Sequence, residues 1–308
     1  MKGGKVLAIV GPTASGKSAL ADKVAAQLHT SEISIDAMQV YRGMDIGTAK
    51  TPVAERVCPL LMVDMANIVD NYSVQLFQTQ AREYIDKLQA DDQLPVLCGG
   101  TGLYLDAVID DMRFPKGQTD SAARKKYETL AEKEDVEALY TLLQERDPDS
   151  ADIIHPHNIR RVIRALEMLD EGKSYATQHK GLYKRASWYQ TQIYGIAMER
   201  ERLYRRIDTR VDAMFDEGLV KEVKGLMDQG LASALTALQA IGYKEIVSAL
   251  NGEITLDEAR ELMKKNTRHL AKRQLSWFHR DPRVNWLDLD KMTSDEAAEQ
   301  IIAAVGEW

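Results

Sequence analysis

The feature that most constrains this chain is the octapeptide Gly11-Pro12-Thr13-Ala14-Ser15-Gly16-Lys17-Ser18, which satisfies G-x-x-x-x-G-K-[ST] in full. A β-branched run, Lys5 to Val10, precedes it, and Leu20, Val24 and Leu28 follow at helical spacing. Strand, glycine loop and helix in that order bring backbone N–H groups together at a helix N-terminus, where they bind phosphate oxygens. Lys17 adds a point charge, and Ser18 is the candidate metal residue, offering its hydroxyl to Mg2+. Such a loop grips a diphosphate but does not say whether it belongs to ATP or to something else. A glycine-rich turn with no ligand is the structural alternative.

Further buried strands are predicted at Ile33 to Ile35, Leu60 to Val63 and Pro95 to Cys98, with a helix from Ser73 to Leu88 opening at a serine cap. Strands alternating with helices imply a parallel sheet that takes its ligand at the carboxyl ends of the strands. From Arg113 to about Tyr194 the strand signals vanish. Arg113-Phe114-Pro115-Lys116-Gly117 breaks the pattern, and short helices follow, joined by turns at Asp147-Pro148 and His155-Pro156-His157. The His155–His157 pair lacks metal-ligand context and reads as part of its turn. The sheet is expected to regain a strand at Gln192 to Ala197, before helices from Glu199 to Met227, Ala237 to Leu250 and Leu256 to His279. The expected architecture is therefore α/β: a parallel sheet flanked by helices over residues 1–112 and 192–308, with an all-helical insertion domain over 113–191.

Composition narrows the class. Hydrophobic residues at 44% and charged residues at 28% are ordinary globular usage, which excludes a disordered or coiled-coil chain. No apolar run approaches the roughly 18 residues of a membrane helix, so a cytoplasmic protein with no membrane partner is expected. Cys58 and Cys98 are too few for a disulfide framework or a four-cysteine zinc site, and both lie in apolar stretches, as core residues do. The net charge of −7 argues against nucleic acid, but its distribution argues for it. Residues 158–211 carry twelve Lys/Arg against six Asp/Glu, and residues 260–283 carry eight against two. A basic surface on an acidic body suits an oriented polyanion, although solvated helix faces would look the same.

Asp36 ends the second strand and opens a polar loop facing the same crevice as the glycine loop, which makes it the natural base. A helix cap or a Mg2+ ligand is the alternative. Asp64 has the position of a Walker B acid, which would hold the metal in a P-loop nucleoside triphosphatase, whereas the strand leading to Gly99-Gly100-Thr101-Gly102 carries no acid. That glycine turn either admits a flat base beside the Thr101 hydroxyl or is simply a turn. Arg160, Arg161 and Arg164 cluster on one helix face and can clamp phosphates, and Arg205, Arg206 and Arg210 repeat the theme. Lys264, Arg268 and Lys272 form a ridge at four-residue spacing that fits either an RNA backbone or a solvated face.

Taken together, GPTASGKS, ISIDAMQVYRGMDIGTAK, LPVLCGGTGLYL, HPHNIRRVIRALE, QAIGYKE and AKRQLSWF resemble the bacterial MiaA family of tRNA dimethylallyltransferases, in family order from Gly11 to Phe278. The resemblance implies a P-loop NTPase-like fold in which the loop holds dimethylallyl diphosphate rather than ATP. It implies transfer of the dimethylallyl group to N6 of the adenosine just 3′ of the anticodon, position 37, in tRNAs reading U-initial codons. Gly11, Thr13, Ala14, Ser15, Gly16, Lys17 and Ser18 would bind the diphosphate with Mg2+, and Asp36, Thr101 and Arg210 would be catalytic. Asp36, Ala37, Met38, Gln39, Thr101, Arg124, Arg160, Arg161 and Arg164 would contact the tRNA anticodon stem-loop. A monomer is expected. Ala37 stands where the family usually has Ser, and Leu60-Leu61 where a His-His pair is common. The competing readings are a P-loop small-molecule kinase with an arginine-bearing lid and a non-catalytic, nucleotide-dependent RNA-binding switch.

Overall fold

The computed structural model describes residues 3–114, 122–133, 136–182 and 186–308. Lys5–Val10 forms the central strand β1, whose side chains alternate between two cores: Val6, Ala8 and Val10 enter one, Leu7 and Ile9 the other. A strand buried on both faces is apolar throughout, which is why its sequence reads as a continuous run. With β2 (Glu32–Ser34), β3 (Leu60–Leu61), β4 (Val96–Gly99), β5 (Gln190–Ala197) and β6 (Val284–Asp288) it makes a parallel sheet in the order β3-β2-β4-β1-β5-β6. Val10 lies opposite Gly99 on one side and Gly195 on the other, and Ser34 opposite Cys98. That register brings the loops after β1, β2 and β4 out side by side.

Helices cover both faces. α1 (Lys17–Gln27) buries Leu20, Ala21, Val24 and Ala25. α2 (Val74–Ala90) opens at Ser73, whose hydroxyl accepts from Leu76 N–H, and buries Phe77, Ala81, Ile85 and Leu88 at near four-residue spacing. α3 (Gly102–Ile109) follows β4 directly. Next come α4 (Ala122–Lys133), α5 (Val136–Arg146), α6 (Pro148–Ile153), α7 (Ile159–Asp170) and α8 (Tyr175–Leu182), then α9 (Arg200–Asp216), α10 (Leu219–Met227), α11 (Tyr243–Leu250), α12 (Leu256–Phe278) and α13 (Ser294–Gly306).

The chain divides into two compact units, Met1–Asp111 with Ser187–Trp308, and Met112–Ala186. The second has its own core, with Tyr127, Leu139 and Leu143 against Val162, Ile163 and Leu166. It ends before residue 191 because Trp188 N–H donates to Ile109 O at 2.8 Å and Gln190 N–H to Gly4 O at 3.0 Å, which returns the chain to the sheet. The fifth strand accordingly starts at Gln190, not Gln192. Pro115, Lys116 and Gly117 of the expected break lie outside the described residues. Asp147 caps α6 with Pro148 in the first turn, and His157 N–H donates to His155 Nδ1, so the histidines shape a turn.

Other elements differ from expectation for local reasons. The third strand stops at Leu61 because Met62 and Asp64 take φ of 62° and 56°, outside the β region. The helix expected to run from Glu199 to Met227 is cut by Gly218 at φ 101°, which separates α9 from α10. The next begins at Tyr243 rather than Ala237, after Gly242 at φ 96°. β6 and α13 were not predicted. α13 carries a readable start, since Thr293 and Glu296 form a reciprocal capping box.

Candidate active site

In the Gly11–Ser18 loop, Ala14 (φ 62°) and Gly16 (φ 96°) both adopt left-handed backbone, turning the chain tightly from β1 into α1. Side chains from α9 brace it: Arg206 Nε donates to Ala14 O at 2.7 Å, and Arg210 Nη1 to Thr13 Oγ1 at 3.5 Å. Lys17 Nζ donates to Pro12 O at 3.2 Å. Burial lowers the pKa of Lys17, with Cys98 opposing and Arg210 reinforcing the shift. Burial lowers Arg210 as well, against the pull of Asp36. Two desolvated cations at this loop, Lys17 at its end and Arg210 from α9, are relieved by an anion beside them.

The loops after β2 and β4 supply the other wall. Asp36 Oδ1 accepts from Met38 N–H at 2.8 Å and more weakly from Gln39 N–H at 3.4 Å. Both bonds fall on Oδ1, which leaves Oδ2 open to the cavity side of the loop's hydrogen bonding. Thr101 Oγ1 accepts from Ala37 N–H at 3.1 Å, so its own hydrogen remains free to donate. The family's Ser hydroxyl is absent at position 37, but the backbone amide still ties the Asp36 loop to the Thr101 turn.

Between these walls lies a cavity of about 530 Å3 that Thr13, Lys17, Ser18, Asp36, Thr101 and Arg210 all line. This is an ordinary size for a small-molecule site. Its remaining wall is largely apolar and comes from α9 and α12, with Ile207, Val211, Met214, Met263, Leu270 and Trp277. The carboxylates on the lining are Asp36 and Glu32. Glu32, at the start of β2, is buried, and burial followed by the charge of Asp22 pushes its carboxyl up to about 8. The carboxyl oxygens of Asp22 and Glu32 and the thiol of Cys58 lie within 4.8 Å of one another. At neutral pH Glu32 holds a proton within that group. Cys98 is likewise buried, and burial raises its thiol well above its ordinary value.

Asp64 does not reach the glycine loop. It lies beyond the edge strand β3, where Lys50 Nζ donates to Asp64 Oδ1 at 2.7 Å, to Asp45 Oδ1 at 2.6 Å and to Tyr41 O at 3.0 Å. Its place in the sheet and this buried lysine exclude the metal-holding role. Glu222 of α10 completes the clamp on the loop after β2, accepting from the backbone N–H groups of Asp45, Ile46 and Gly47 and from Tyr243 OH. Gln39 is also used internally: it accepts from Ser34 Oγ and donates to Thr48 O. Lys50 and Glu222 were missed from sequence because their partners are distant or are backbone groups.

In the helical unit Arg160 and Arg161 are exposed on α7, whereas Arg164 Nη1 lies 3.5 Å and Arg124 Nη1 3.9 Å from the buried carboxylate of Glu167. The expected three-arginine face is thus two free guanidiniums and a third turned inward. The ridge on α12 also resolves. Lys264 pairs with Asp212 at 2.9 Å and Arg268 with Asp208 at 2.8 Å, both acids of α9, and Lys272 alone is exposed.

Fold and cavity together define a P-loop protein arranged for group transfer, with cations on one wall and a carboxylate and a hydroxyl on the other. Residues 39–281 match the family of IPP transferases. A tRNA dimethylallyltransferase from Carboxydothermus hydrogenoformans is 44% identical over 304 residues, spanning 98% of this chain and 97% of that one. Among solved structures, a tRNA delta(2)-isopentenylpyrophosphate transferase from Staphylococcus epidermidis matches with a TM-score of 0.73 and 36% identity over 99% of this chain and 100% of that one. A eukaryotic dimethylallyltransferase acting on tRNA matches with a TM-score of 0.80 and 28% identity, over 98% of this chain and 80% of that one. This chain belongs to the IPP transferase family, and its sheet with flanking helices is the P-loop NTPase-like fold of those structures.

Proposed function

We propose that the protein transfers the dimethylallyl group of dimethylallyl diphosphate to N6 of adenosine 37 in tRNAs reading U-initial codons. The C1–O bond to diphosphate breaks, a C1–N6 bond forms, and N6 gives up one proton. The single observation that carries this reading is the shared cavity: the diphosphate loop and the Asp36–Thr101 pair face each other across an apolar wall suited to a five-carbon tail. The relatives bear the transferase name, not that of a kinase.

Gly11, Thr13, Ala14, Ser15, Gly16, Lys17 and Ser18 hold the diphosphate, and Lys17 and Arg210 stabilise its charge as it departs. Adenine N6 is a weak nucleophile because its lone pair is conjugated into the ring, so Asp36 accepts its proton as the new bond forms. Thr101 positions the base by its free hydrogen. Ser18, on the cavity lining, would offer its hydroxyl to Mg2+, with diphosphate oxygens and water as the other ligands, a donor set that suits this ion at phosphate sites. When bound, Mg2+ neutralises charge on the leaving diphosphate. The adenosine must leave its stack to enter the cavity, which favours a loop nucleotide. Ala37, Met38 and Gln39 line the same cavity and would contact the tRNA there. Arg160 and Arg161 meet tRNA phosphates, with Arg124 and Arg164 beside them, and the helical unit serves tRNA binding. The protein acts as a monomer in this reading, and a tRNA substrate supports a cytoplasmic location. No helix among the described residues is long and apolar enough to cross a membrane.

Incubation with Mg2+, dimethylallyl diphosphate and unmodified tRNA should yield prenylated adenosine 37 and diphosphate. Phosphate transfer from ATP with no prenyl product would instead select the kinase.

A further inference from the structure

We propose that Gln274, on α12, is a positioning residue that locks the diphosphate loop to the Thr101 turn and so fixes how far the allylic carbon lies from N6. This rests on the transferase reading above. The side chain is buried and lines the cavity, and its amide joins the two loops: Thr13 N–H donates to Oε1 at 2.8 Å, and Nε2 donates to Gly100 O at 3.1 Å. Its backbone is anchored by Ala271 and Phe278, both buried on the same helix.

The glycine turn is shaped for this contact. A Cβ at Gly100 would lie 2.1 Å from Gln274 Nε2, and one at Gly102 2.2 Å from Trp277 Cδ1. Trp277 Nε1 donates to Asp106 Oδ2 at 3.2 Å, pinning α12 to α3 one turn further on. The amide thus spans from the loop that holds the leaving group to the residue before Thr101, whose hydroxyl is tied to Ala37 beside Asp36. Gln274 ties one backbone group of each loop, Thr13 N–H through Oε1 and Gly100 O through one N–H of Nε2, so its effect is on the spacing of the two loops.

The chemistry makes that geometry matter. Once the C1–O bond breaks, the allylic cation is captured by whichever nucleophile is nearest, N6 or water. A displacement of about 1 Å costs on the order of a hundredfold in transfer. Loosening the lock therefore diverts substrate to dimethylallyl alcohol instead of merely slowing it.

The test compares Gln274→Met and Gln274→Glu with the wild-type enzyme, measuring prenylated adenosine, dimethylallyl alcohol and thermal stability together. Gln274→Met keeps the shape and loses both bonds. It should lower kcat for transfer about a hundredfold, leave KM for tRNA little changed, and raise the alcohol formed per prenyl transferred. Gln274→Glu can restore both bonds only when its carboxyl is protonated, so its transfer relative to wild type should rise as pH falls. Wild-type transfer by Gln274→Met overturns the proposal. So does loss of transfer without added alcohol, combined with a Gln274→Glu pH profile parallel to wild type. If wild type itself makes no prenylated adenosine, the transferase reading fails, not the lock.

Discussion

Glu32 is an acid buried where a lysine must stay available. Its raised pKa means that the native state holds this proton more tightly than the unfolded chain, whose glutamate titrates near 4.5. The sign follows: the stability that Glu32 contributes is fully present below about 4.5, falls as pH rises through about 8, then levels. Glu32→Gln should remove that decline, so its melting temperature exceeds wild type at pH 9, by about 3 °C for each kcal/mol recovered. Thermal denaturation from pH 5 to 9 checks it. Asp22, Cys98 and Lys17 all act on Glu32, so its ionisation also places a negative charge near Lys17. The KM for dimethylallyl diphosphate should accordingly rise above pH 8 in wild type more than in Glu32→Gln. At the cavity itself, Asp36→Ala should cut single-turnover transfer by about 100- to 10,000-fold while filter binding shows tRNA affinity retained. Near-full activity would remove Asp36 from the base role. The sequence exposed Asp36 through its place at a strand end. It hid Glu32, whose neighbours Asp22, Cys58 and Cys98 are scattered along the chain and meet only in the fold.

Among the elements, those whose cause is local could be read directly. Ser73 capping α2 and the glycine loop opening α1 are such cases, because cap and loop geometry depend on a few adjacent residues. β6 escaped because an edge strand is apolar only in part: Val284 and Leu287 are buried while Asn285 is exposed. The loop after β2 shows the limit more sharply, since Glu222, some 175 residues away, accepts three of its backbone N–H groups. Glu222→Ala should leave these donors unpaired and cost about 2 kcal/mol, with faster amide exchange confined first to residues 45–47. Unchanged exchange there would remove Glu222 from the clamp. Gly218 marks a different cause. Open space surrounds it at φ 101°, so Gly218→Ala should cost about 1 kcal/mol through backbone strain alone, read as a lower denaturation midpoint with the m-value unchanged.

For the whole molecule, formal charge was a poor guide until pairs were assigned. The basic span 260–283 is compensated in part within the chain: Lys264 and Arg268 hold α12 to α9, and Arg283 holds Asp110 at 2.6 Å. Replacing Lys264 and Arg268 should therefore lower stability and leave the salt dependence of tRNA binding unchanged. Replacing Arg160 and Arg161 should weaken binding across tRNAs and make the slope of log K against log salt shallower by about 2. An unchanged slope would take both arginines off the phosphate backbone. What the sequence determined by itself was what depends on short separations: the glycine loop between β1 and α1, the parallel α/β order, the run of short helices after residue 113 and the place of Asp36 at a strand end. Tertiary structure alone decided which charges remain free, where Glu32 keeps its proton, and that one amide of α12 joins the two catalytic loops. Those outcomes are set by which distant groups share a desolvated space, and such neighbours are chosen only when the sheet register and helix packing close.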